Sequence, residues 1–561
     1  MAVAKHWFQI LGVAASEQPD FSRAGGTSVD LVELQLRLLR DESITLDLGR
    51  LPDPLTFESL IGILTTAQKS GEDLDDATDP SKRIGGPLEG PANGAQIEQW
   101  LAEKIQPDSF EYLVPIRVDV PAGTTWAMLD AAIVAVVNAH PSLRTSIHRV
   151  GGQGETEFIQ RVHPPVRSSG IVARPASILE DGLAVLLHDD PIAMPSVEGE
   201  RKCQPVGLIA DGRIDSVVLV FHHVAVDDHS LNLIVANLAR SLGGAACEAE
   251  ECSFLEWSAS ANADTSEDLR WWRERLESVP VDLALEPTKV EHHAPLSSDE
   301  VVGMVDREVV DSIDERLREE GVMRSAAAIG ILRNVLFDLD LARDDSVAIG
   351  TPMSLRDHPA VFGTAGMFLN TVPVTMGRTA DLAEIARDLW QTKRHRRASY
   401  LEIVEAVSPS RIPGRSTWLD ACIGIMETTY ASSLSWELLS TGETAFPILL
   451  MARWTEDGLI VQCQVQRRFG GETLARRIVE EFVSGLERLA DERGWKRVGP
   501  SRIAGPRRDR ECQTVLDLVA RRSAENPETD AIVDVRDGES VDYRRLAFLS
   551  DRIAAAILGN R

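Results

Sequence analysis

Cysteine is scarce in this chain, long apolar runs are absent, and each shortage excludes a class of protein. The 561 residues include six cysteines, none of them in a C-x-x-C pair, and Cys247 and Cys252 have no second ligand pair near them. This argues against a structural metal site and favours free thiols, which are typical of cytoplasmic proteins. No apolar run approaches the length of a membrane span, and the first residues lack the pattern of a secretory signal. We therefore expect a cytoplasmic protein without a structural metal.

Basic residues are the scarcer charged type. Lys and Arg number 58 and Asp and Glu number 87, so the formal net charge is −29. A surface this acidic argues against nucleic acid or an anionic membrane as a partner, and it favours selective docking of other protein modules. Apolar residues still make up 43% of the chain, which indicates a globular protein. Its length predicts about two to four domains.

Composition and periodicity divide the chain into five segments. Residues 1–70 predict a small all-α bundle, and the acidic, Gly- and Pro-rich residues 71–93 predict a linker. From 94 to 500 helix and strand patterns are mixed over a length that is too great for one core. Prolines cluster near the middle of this part, so we predict two α/β lobes, residues 94–265 and 266–500. Residues 501–561 show an α-β-α pattern that is too short for a complete enzyme.

Local patterns predict the main elements within these segments. The helices are expected near Ala2–Leu11, Ser28–Arg40, Thr56–Gln68, Ala127–Ala139, 267–277, 329–338, 472–493, 514–524 and 543–558. The strands are expected at 215–221, 345–350, 372–375, 421–426, 459–466 and 531–535.

The stretch 216–230 combines a buried strand with side chains that can perform chemistry. Its apolar, β-branched start predicts a core strand, and Asp227 and Asp228 are helix-starting residues before an amphipathic run. His222 and His223 lie between the two elements. Because successive side chains of extended backbone point to opposite faces, one imidazole is expected to face a cavity and the other to pack inward. The pattern predicts a base beside the free amides and positive dipole of a helix N-terminus.

Several motifs resemble those of a nonribosomal peptide synthetase. The central one, His222-His223-Val-Ala-Val-Asp227, resembles the His-His-x-x-x-Asp motif of condensation domains. Further stretches resemble other condensation motifs: Ala95-Gln96…Trp100, His140-Pro-Ser-Leu-Arg144-Thr145, Trp271-Trp272, Ile349-Gly-Thr-Pro-Met-Ser-Leu-Arg356 and Gly366-Met-Phe-Leu-Asn370-Thr371. Asp20-Phe21 followed by Gly25-Gly26-Thr27-Ser28 resembles the phosphopantetheine attachment loop of a peptidyl carrier domain, and residues 515–546 resemble the start of an adenylation domain.

The resemblance implies a specific architecture. Residues 1–70 would form a small all-α carrier (thiolation) bundle, joined by the linker to a two-lobed, V-shaped α/β condensation domain like chloramphenicol acetyltransferase. Its N-lobe would be 94–265 and its C-lobe 266–500. Residues 501–561 would be a linker and the truncated N-terminal segment of an adenylation domain, without its nucleotide-binding loop.

The implied activity is formation of a peptide bond between a donor acyl thioester and an acceptor aminoacyl thioester. Ser28 would carry a covalent 4'-phosphopantetheine, attached by a phosphopantetheinyl transferase, and the N-terminal carrier would be the donor. The expected partners are upstream and downstream synthetase modules and the acceptor aminoacyl carrier domain, as in antibiotic or siderophore biosynthesis.

The resemblance also implies roles for the residues of the central motif. His223 would be the catalytic base or the group that orients the amine, and His222 would be structural and point away. Asp227 is either a second carboxylate catalyst or one half of a structural ion pair; the resemblance implies the pair, with Arg144 as the partner.

Asp228 departs from the family pattern, which usually has glycine at this position. It is either an outward-turned residue of the helix cap or a charge at the tunnel constriction that alters substrate gating or abolishes activity. Recruitment-only relatives in glycopeptide assembly lines also carry Asp here, but they lose the second histidine, which this chain keeps.

Two alternatives to peptide-bond formation stay open. One is an epimerase, whose domain shares the His-His motif. The stretch from Met367 to Thr371 and the adenylation-like segment that follows favour condensation. The other is a catalytically silent platform that recruits partner proteins.

Overall fold

A computed structural model gives the fold of the chain. It describes residues 2–24, 26, 34, 37–38, 44, 46, 55–70, 88–151, 157–179, 183–188, 194–260, 264–287, 296–410, 415–426, 434–491, 530–533 and 540–542. These belong to two compact units, Met1–Val498 and Gly499–Arg561.

The N-terminal segment packs around one tryptophan. Helices α1 (Ala2–Leu11) and α2 (Phe57–Ser70) coincide closely with the predicted first and third helices. The ring of Trp7 is fully buried and meets the rings of Phe21 and Phe57 edge-on, at centroid distances of 5.5 and 5.3 Å. These edge-to-face contacts give this short segment its apolar centre.

Gly26 of this segment stands at a position with a steric requirement for glycine. A Cβ atom added to Gly26 would stand 2.3 Å from the ring of Phe21, closer than van der Waals contact permits. The backbone N–H of Gly26 also donates to the carbonyl of Phe21 at 2.9 Å. The backbone of Gly26 therefore packs directly against the ring of Phe21. Ser28 itself, and most of the predicted helix Ser28–Arg40, lie outside the described residues.

The part of the chain from residue 88 to 260, called here the first lobe, is built on a five-stranded sheet. Its elements are β1 (Glu89–Pro91), α3 (Gly94–Ile105), β2 (Leu113–Asp119), α4 (Trp126–Ala139), β3 (Thr145–Val150), β4 (Glu157–Val162), β5 (Val172–Pro175), α5 (Leu183–His188), β6 (Cys203–Ala210), β7 (Arg213–His222), α6 (Asp228–Leu242) and α7 (Phe254–Ser260). β7 contains the predicted buried strand and lies between β2 and β6, with antiparallel pairing on both sides. Helices α4 and α6 cover one face of this sheet. A small sheet, β1-β4-β3, lies beside it.

The part from 264 to 491, called here the second lobe, contains a six-stranded sheet. Its elements are α8 (Ser266–Leu276), β8 (Ser298–Asp306), α9 (Arg307–Glu320), α10 (Arg324–Asp338), β9 (Ser346–Ser354), β10 (Leu369–Gly377), α11 (Leu382–Arg394), α12 (Tyr400–Val407), β11 (Ala421–Met426), β12 (Trp436–Leu438), β13 (Ile448–Thr455), β14 (Gly458–Gln466) and α13 (Gly471–Ala490). The strand order is β10-β9-β11-β13-β14-β8. One face of this sheet and the helices packed on it form the largest apolar core.

One strand of the second lobe's sequence joins the sheet of the first lobe. β12 pairs antiparallel with β2, with Trp436 opposite Val118 and Leu438 opposite Ile116. The resulting order is β12-β2-β7-β6-β5. β12 satisfies backbone groups of β2 that would otherwise form an open sheet edge. The two lobes therefore share a sheet, which the division at residue 265 did not anticipate.

The second compact unit is described only in part. Asp530–Val533 pairs antiparallel with Ser540–Asp542. The first of these segments overlaps the strand predicted at 531–535. The helices predicted at 514–524 and 543–558 lie outside the described residues.

Candidate active site

His222 is the last residue of β7 and is held by two hydrogen bonds. Its Nδ1 atom accepts from the backbone N–H of Val224 at 3.1 Å, so its proton must be on Nε2, which lies 3.0 Å from Oε2 of Glu103 on α3. The side chain is almost fully buried, and burial lowers its pKa. These two protein partners support the structural role predicted for His222.

His223 starts a 3₁₀ turn, His223–Ala225, and is only half-buried. Its backbone N–H donates to the carbonyl of Tyr112 at 2.8 Å. Its Nδ1 atom lies 2.8 Å from the carbonyl of Val226, and because a carbonyl can only accept, Nδ1 must carry the proton. In the neutral ring the lone pair is therefore on Nε2. This hydrogen bond holds His223 in the tautomer whose Nε2 atom can accept a proton.

Asp227 caps helix α6 and is saturated with hydrogen bonds. Its Oδ1 atom accepts from the backbone N–H of Ser230 at 2.8 Å and from the Ser230 hydroxyl at 2.6 Å. Nη2 of Arg356 lies 2.9 and 3.0 Å from its two carboxylate oxygens, and the backbone N–H of Phe368 donates to Oδ2. Burial opposes ionisation, but Arg356 and the Ser230 hydroxyl outweigh it and lower the pKa of Asp227. It is a buried structural anion.

Arg356, from the second lobe, supplies the positive charge that pairs with the Asp227 carboxylate. The residue follows β9 of the second lobe, and its guanidinium is as buried as the carboxylate of Asp227. Nη1 donates to the carbonyls of Val361 and Thr364, and the guanidinium stacks 3.8 Å from the centroid of the Phe368 ring. The ion pair therefore connects the catalytic motif to the second lobe.

Arg144 is not the partner of Asp227, so that prediction is wrong. The residue ends the 3₁₀ turn that follows α4, and its guanidinium donates to the carbonyls of Val137, Asn138 and His163. Two of these carbonyls lie in the last turn of α4, where no amide of the helix reaches them. A cation is also favoured at a helix C-terminus by the dipole. Arg144 is a cap of α4.

Both arginines lie in the motifs quoted above, so the sequence contained the correct partner. A buried Asp at a helix start demands a cation, but sequence spacing did not distinguish Arg144 from Arg356. The choice required the packing of one lobe on the other.

Asp228 is the first residue of α6, and its hydrogen bonding and pKa differ from those of its neighbour Asp227. Its Oδ1 atom is shut off from solvent, and no described residue donates a hydrogen bond to it. Burial and the charge of Asp227 raise the pKa of Asp228 to about 7, while Arg453 on β13 acts in the other direction. The Oδ1 atom of Asp228 is thus neither exposed to solvent nor hydrogen-bonded by a described residue.

Glu98 is a second carboxyl with a raised pKa. It lies on α3, the helix that also contains Glu103, the hydrogen-bond partner of His222. Burial raises the pKa of Glu98 to about 8, although the backbone amide of Leu401 on α12 acts to lower it. Its charge acts on the phenol of Tyr112, the residue whose carbonyl holds the backbone of His223. Sequence analysis missed Glu98, because a Glu on an amphipathic helix is usually solvated.

His140, in the second condensation-like motif, is a structural residue. Its Nδ1 atom lies 2.7 Å from Oε1 of Glu250, and the side-chain amide of Asn237 on α6 donates to its Nε2. Glu250 also accepts from the backbone N–H of Ala365 in the second lobe, and burial raises the pKa of Glu250. This network is a second polar connection between the lobes.

Lys202 is a buried cation next to His222. Its Nζ atom donates to the carbonyls of Ser196, Val197 and Gly199, and burial lowers its pKa to about 7. The backbone N–H of His222 donates to its carbonyl at 3.0 Å. Lys202 thereby fixes the loop 196–199 against the strand that carries the histidines.

Five cysteines, 203, 247, 252, 422 and 463, are free thiols, and Cys512 lies outside the described residues. The ranges that the structure describes contain no group of three His, Cys, Asp or Glu side chains suited to a metal ion. Within the same ranges, no helix is both long and apolar enough to span a bilayer.

The family model of the condensation domain matches residues 89–493. The chain belongs to the condensation-domain family. Condensation domains of nonribosomal peptide synthetases are acyl-transfer enzymes, and peptide-bond formation is their general reaction.

Curated relatives of this condensation domain are much longer proteins. Tyrocidine synthase 3 of Brevibacillus parabrevis is 23% identical over 100% of this chain and 9% of its own length. Phosphinothricin tripeptide synthetase PhsB of Streptomyces viridochromogenes is 23% identical over 83% of this chain and 43% of its own length. The chain thus spans less than half of either relative.

Solved structures show the same fold. The condensation domain of the monacolin K polyketide synthase MokA is 16% identical, with a TM-score of 0.61 over 72% of this chain and 98% of that one. The X-domain from teicoplanin biosynthesis is 17% identical, with a TM-score of 0.59 over 74% and 98%. This condensation domain therefore has the V-shaped, mixed α/β fold that the resemblance implied.

Proposed function

We propose that the condensation domain forms an amide bond between a donor acyl thioester and an acceptor aminoacyl thioester, with His223 as the base. The observation that carries this proposal is the tautomer of His223, which leaves Nε2 able to accept a proton. A neutral imidazole near pH 7 suits this role. His222, Asp227 and Arg356 would position the reacting group without contacting substrate.

The reaction needs more positioning than proton transfer. The amine nitrogen attacks the thioester carbon, a C–N bond forms, the C–S bond breaks, and the proton lost by the amine passes through Nε2 to the departing thiolate. Correct placement of two tethered ends can supply about 7–11 kcal/mol. A general base typically adds about 10²–10⁴-fold. The ion pair Asp227–Arg356 supports this division, because it joins the catalytic motif to the opposite lobe.

We also propose that residues 1–70 are the donor carrier domain and that residues 501–561 begin an adenylation domain. Ser28 would hold 4'-phosphopantetheine, attached by a phosphopantetheinyl transferase, and the arm would supply the thiol of the donor thioester. Support comes from the helical core around Trp7 and from the close approach of Gly26 to Phe21. The partners would be neighbouring synthetase modules and the acceptor aminoacyl carrier.

The carrier proposal is tested by mass. Treatment of the whole chain with a phosphopantetheinyl transferase and coenzyme A should add one phosphopantetheinyl group, and Ser28→Ala should abolish the addition. Thr27→Ala is the matched control and should still be modified. Modification of Ser28→Ala would show that the attachment site is elsewhere.

The reaction proposal is tested with a loaded chain. Ser28 is loaded with an acyl-pantetheine, and an aminoacyl carrier is supplied as the acceptor. A new peptidyl-carrier product is expected. Exchange of the α-carbon proton without transfer would identify an epimerase instead.

A recruitment platform is the second candidate function. The observation that favours it is the likeness to the X-domain, which a further structure contains in complex with OxyB, also from teicoplanin biosynthesis. In the same experiment, a platform would retain a complex with the carrier but form no product.

A further inference from the structure

The backbone of His223 is anchored to the turn that leads into strand β2. Its N–H group donates to the carbonyl of Tyr112 at 2.8 Å. The N–H group of Leu113, the first residue of β2, donates to the carbonyl of Phe110 at 3.0 Å and closes this turn, called here the turn 110–113. The position of Tyr112, and with it the backbone of His223, therefore depends on the conformation of the turn.

A carboxylate of the second lobe, Glu443, binds the start of this turn. Its Oε2 atom accepts from the backbone N–H of Phe110 at 2.7 Å and from the Ser109 hydroxyl at 2.9 Å. The Ser109 hydroxyl in turn accepts from the backbone N–H of Glu111 at 3.1 Å. Hydrogen bonds to an ionised acceptor are stronger than those between neutral groups. A single carboxylate oxygen therefore fixes the backbone where the turn begins.

The backbone of Glu443 is itself fixed to the edge strand of the second lobe. Ser297 and Glu443 form an antiparallel bridge, and the N–H group of Ser298 donates to the carbonyl of Gly442 at 2.8 Å. Ser298 is the first residue of β8. Glu443 therefore has its backbone on the sheet of one lobe and its carboxylate on the turn of the other.

The side chain of Glu443 continues a connection that the backbone makes along β2. β12 pairs with β2, and just after β12 the N–H group of Leu439 donates to the carbonyl of Pro115 at 2.9 Å. Phe110 lies five residues before Pro115 in the sequence, ahead of the first residue of β2. The carboxylate thus extends the contact between the lobes from the strand to the turn that holds the His223 backbone.

We propose that Glu443 is a positioning residue, which holds the turn 110–113 from the second lobe and thereby fixes the backbone of His223. This inference rests on the proposed function, because His223 is the base of that reaction. Glu443 acts through the carbonyl of Tyr112 and does not contact substrate. Since its backbone belongs to the second lobe, the placement of the base depends on how the two lobes pack. A shift of a reacting group by about 1 Å can cost about 100-fold in rate.

The first test is amide hydrogen exchange of the whole chain, which does not depend on turnover. In Glu443→Ala, mass spectrometry of overlapping peptides should show that the amides of Phe110 and His223 exchange about 10- to 100-fold faster, the range for losing a hydrogen bond to a charged group. The centre of β7, Val217–Val220, should keep its protection, since β2 and β6 pair with it on both sides. Glu443→Gln keeps an oxygen acceptor and should restore most of the protection at His223.

Glu437→Ala is the matched control for the loss of a carboxylate. Glu437 lies on β12, and its exposed side chain pairs with Arg117 at 3.4 Å. Exposed ion pairs contribute little to stability. This variant should therefore show the exchange and the rate of the wild type.

The second test is kinetic and uses the chain loaded on Ser28. At saturating acceptor carrier, Glu443→Ala should form amide about 10- to 100-fold more slowly than the wild type. The acceptor concentration that gives half the maximal rate should stay the same, because Glu443 does not contact substrate. Glu443→Gln should recover most of the rate, in parallel with its recovered protection at His223.

The outcomes separate this inference from a general effect on folding and from the proposed function. Faster exchange throughout the first lobe, or unchanged exchange at His223, overturns the inference, because Glu443 would then act on the whole fold or not on this turn. Faster exchange at His223 with an unchanged rate overturns the positioning role. If exchange at His223 rises as expected but the wild-type chain forms no amide, the proposed function fails and the coupling of Glu443 to the His223 backbone stands.

Discussion

Two pairs of identical neighbours, His222–His223 and Asp227–Asp228, have opposite environments within seven residues. The members His222 and Asp227 are buried and fully occupied by protein partners. The members His223 and Asp228 are only partly buried, and no described residue forms a hydrogen bond with Nε2 of His223 or with Oδ1 of Asp228. Residue type therefore does not decide the role; the direction of the backbone does.

The difference follows from the end of strand β7. In an extended strand successive side chains point to opposite faces, so His222 turns into the first lobe toward α3 and His223 turns away. The 3₁₀ turn then places Asp227 at the N-cap of α6, where a side-chain oxygen is needed by the first amides. Asp228 is already inside the helix, where no amide needs it. One member of each pair thus contributes its side chain to the packing of the fold, and the other does not.

The largest expected effect is loss of the Asp227–Arg356 ion pair. Asp227→Asn leaves the guanidinium of Arg356 buried without a charge partner, and we expect the free energy of unfolding to fall by about 3–5 kcal/mol. Urea unfolding followed by circular dichroism measures this. In a double-mutant cycle, Asp227→Asn and Arg356→Met should be strongly coupled.

The same cycle with Arg144→Met is the control for this pair. Because Arg144 caps α4 and does not contact Asp227, the effects of Asp227→Asn and Arg144→Met should add to within about 0.5 kcal/mol. Strong coupling to Arg144 and additivity with Arg356 would reverse the assignment of the partner.

The second expected effect separates the two histidines. His223→Ala should slow amide formation by about 100-fold or more, the contribution of a general base, with little change in the urea midpoint. His222→Ala should instead lower the free energy of unfolding by about 1–3 kcal/mol, since it leaves Glu103 and the Val224 amide without their partner. Single-turnover rates and unfolding curves of both variants provide the measurement. Equal stability loss in the two variants would contradict the division of roles.

The third expected effect is the pH dependence of stability at the two aspartates. The folded pKa of Asp227 is lowered, so its contribution is complete above about pH 4 and is lost on acidification. The folded pKa of Asp228 is raised to about 7, so the folded state holds an extra proton between about pH 4 and 7, and stability falls with rising pH in that range. Asp228→Asn should reduce this fall by up to about 1.4 kcal/mol per pH unit.

Urea unfolding at pH 5 and pH 8 checks this last prediction. Asp457→Asn, with an exposed carboxyl, should show the same pH dependence as the wild type. If Asp228→Asn also follows the wild-type curve, its carboxyl does not keep a raised pKa in the folded chain.

Local patterns predicted much of the fold, and the resemblance to condensation domains identified the central motif. The helices α1, α4, α8 and α13 and the strand β7 were expected nearly where they occur, because each has strong apolar periodicity or a clear start signal. The separate roles expected for His222 and His223 stay predictions, which their different hydrogen bonds support.

What the sequence did not predict depends on contacts between distant segments. Arg356 reaches Asp227 across 129 residues, and β12 is a three-residue strand with little pattern of its own. The electrostatic surroundings of Asp228 depend on the second lobe as well, since the cation that acts on it, Arg453, is on β13. Such pairings are decided by packing, and no local periodicity reports them.

The shared sheet has a consequence for how the protein is made. β2 begins at Leu113, but its outer neighbour ends at Leu438, so the ribosome must complete more than three hundred further residues before the first lobe's sheet can close. During that interval β2 exposes unpaired backbone groups, the kind of open edge that invites pairing with other chains. We expect truncations that stop before Trp436 to aggregate. An exchange of lobes between synthetases would have to move the strand 436–438 together with the N-terminal half.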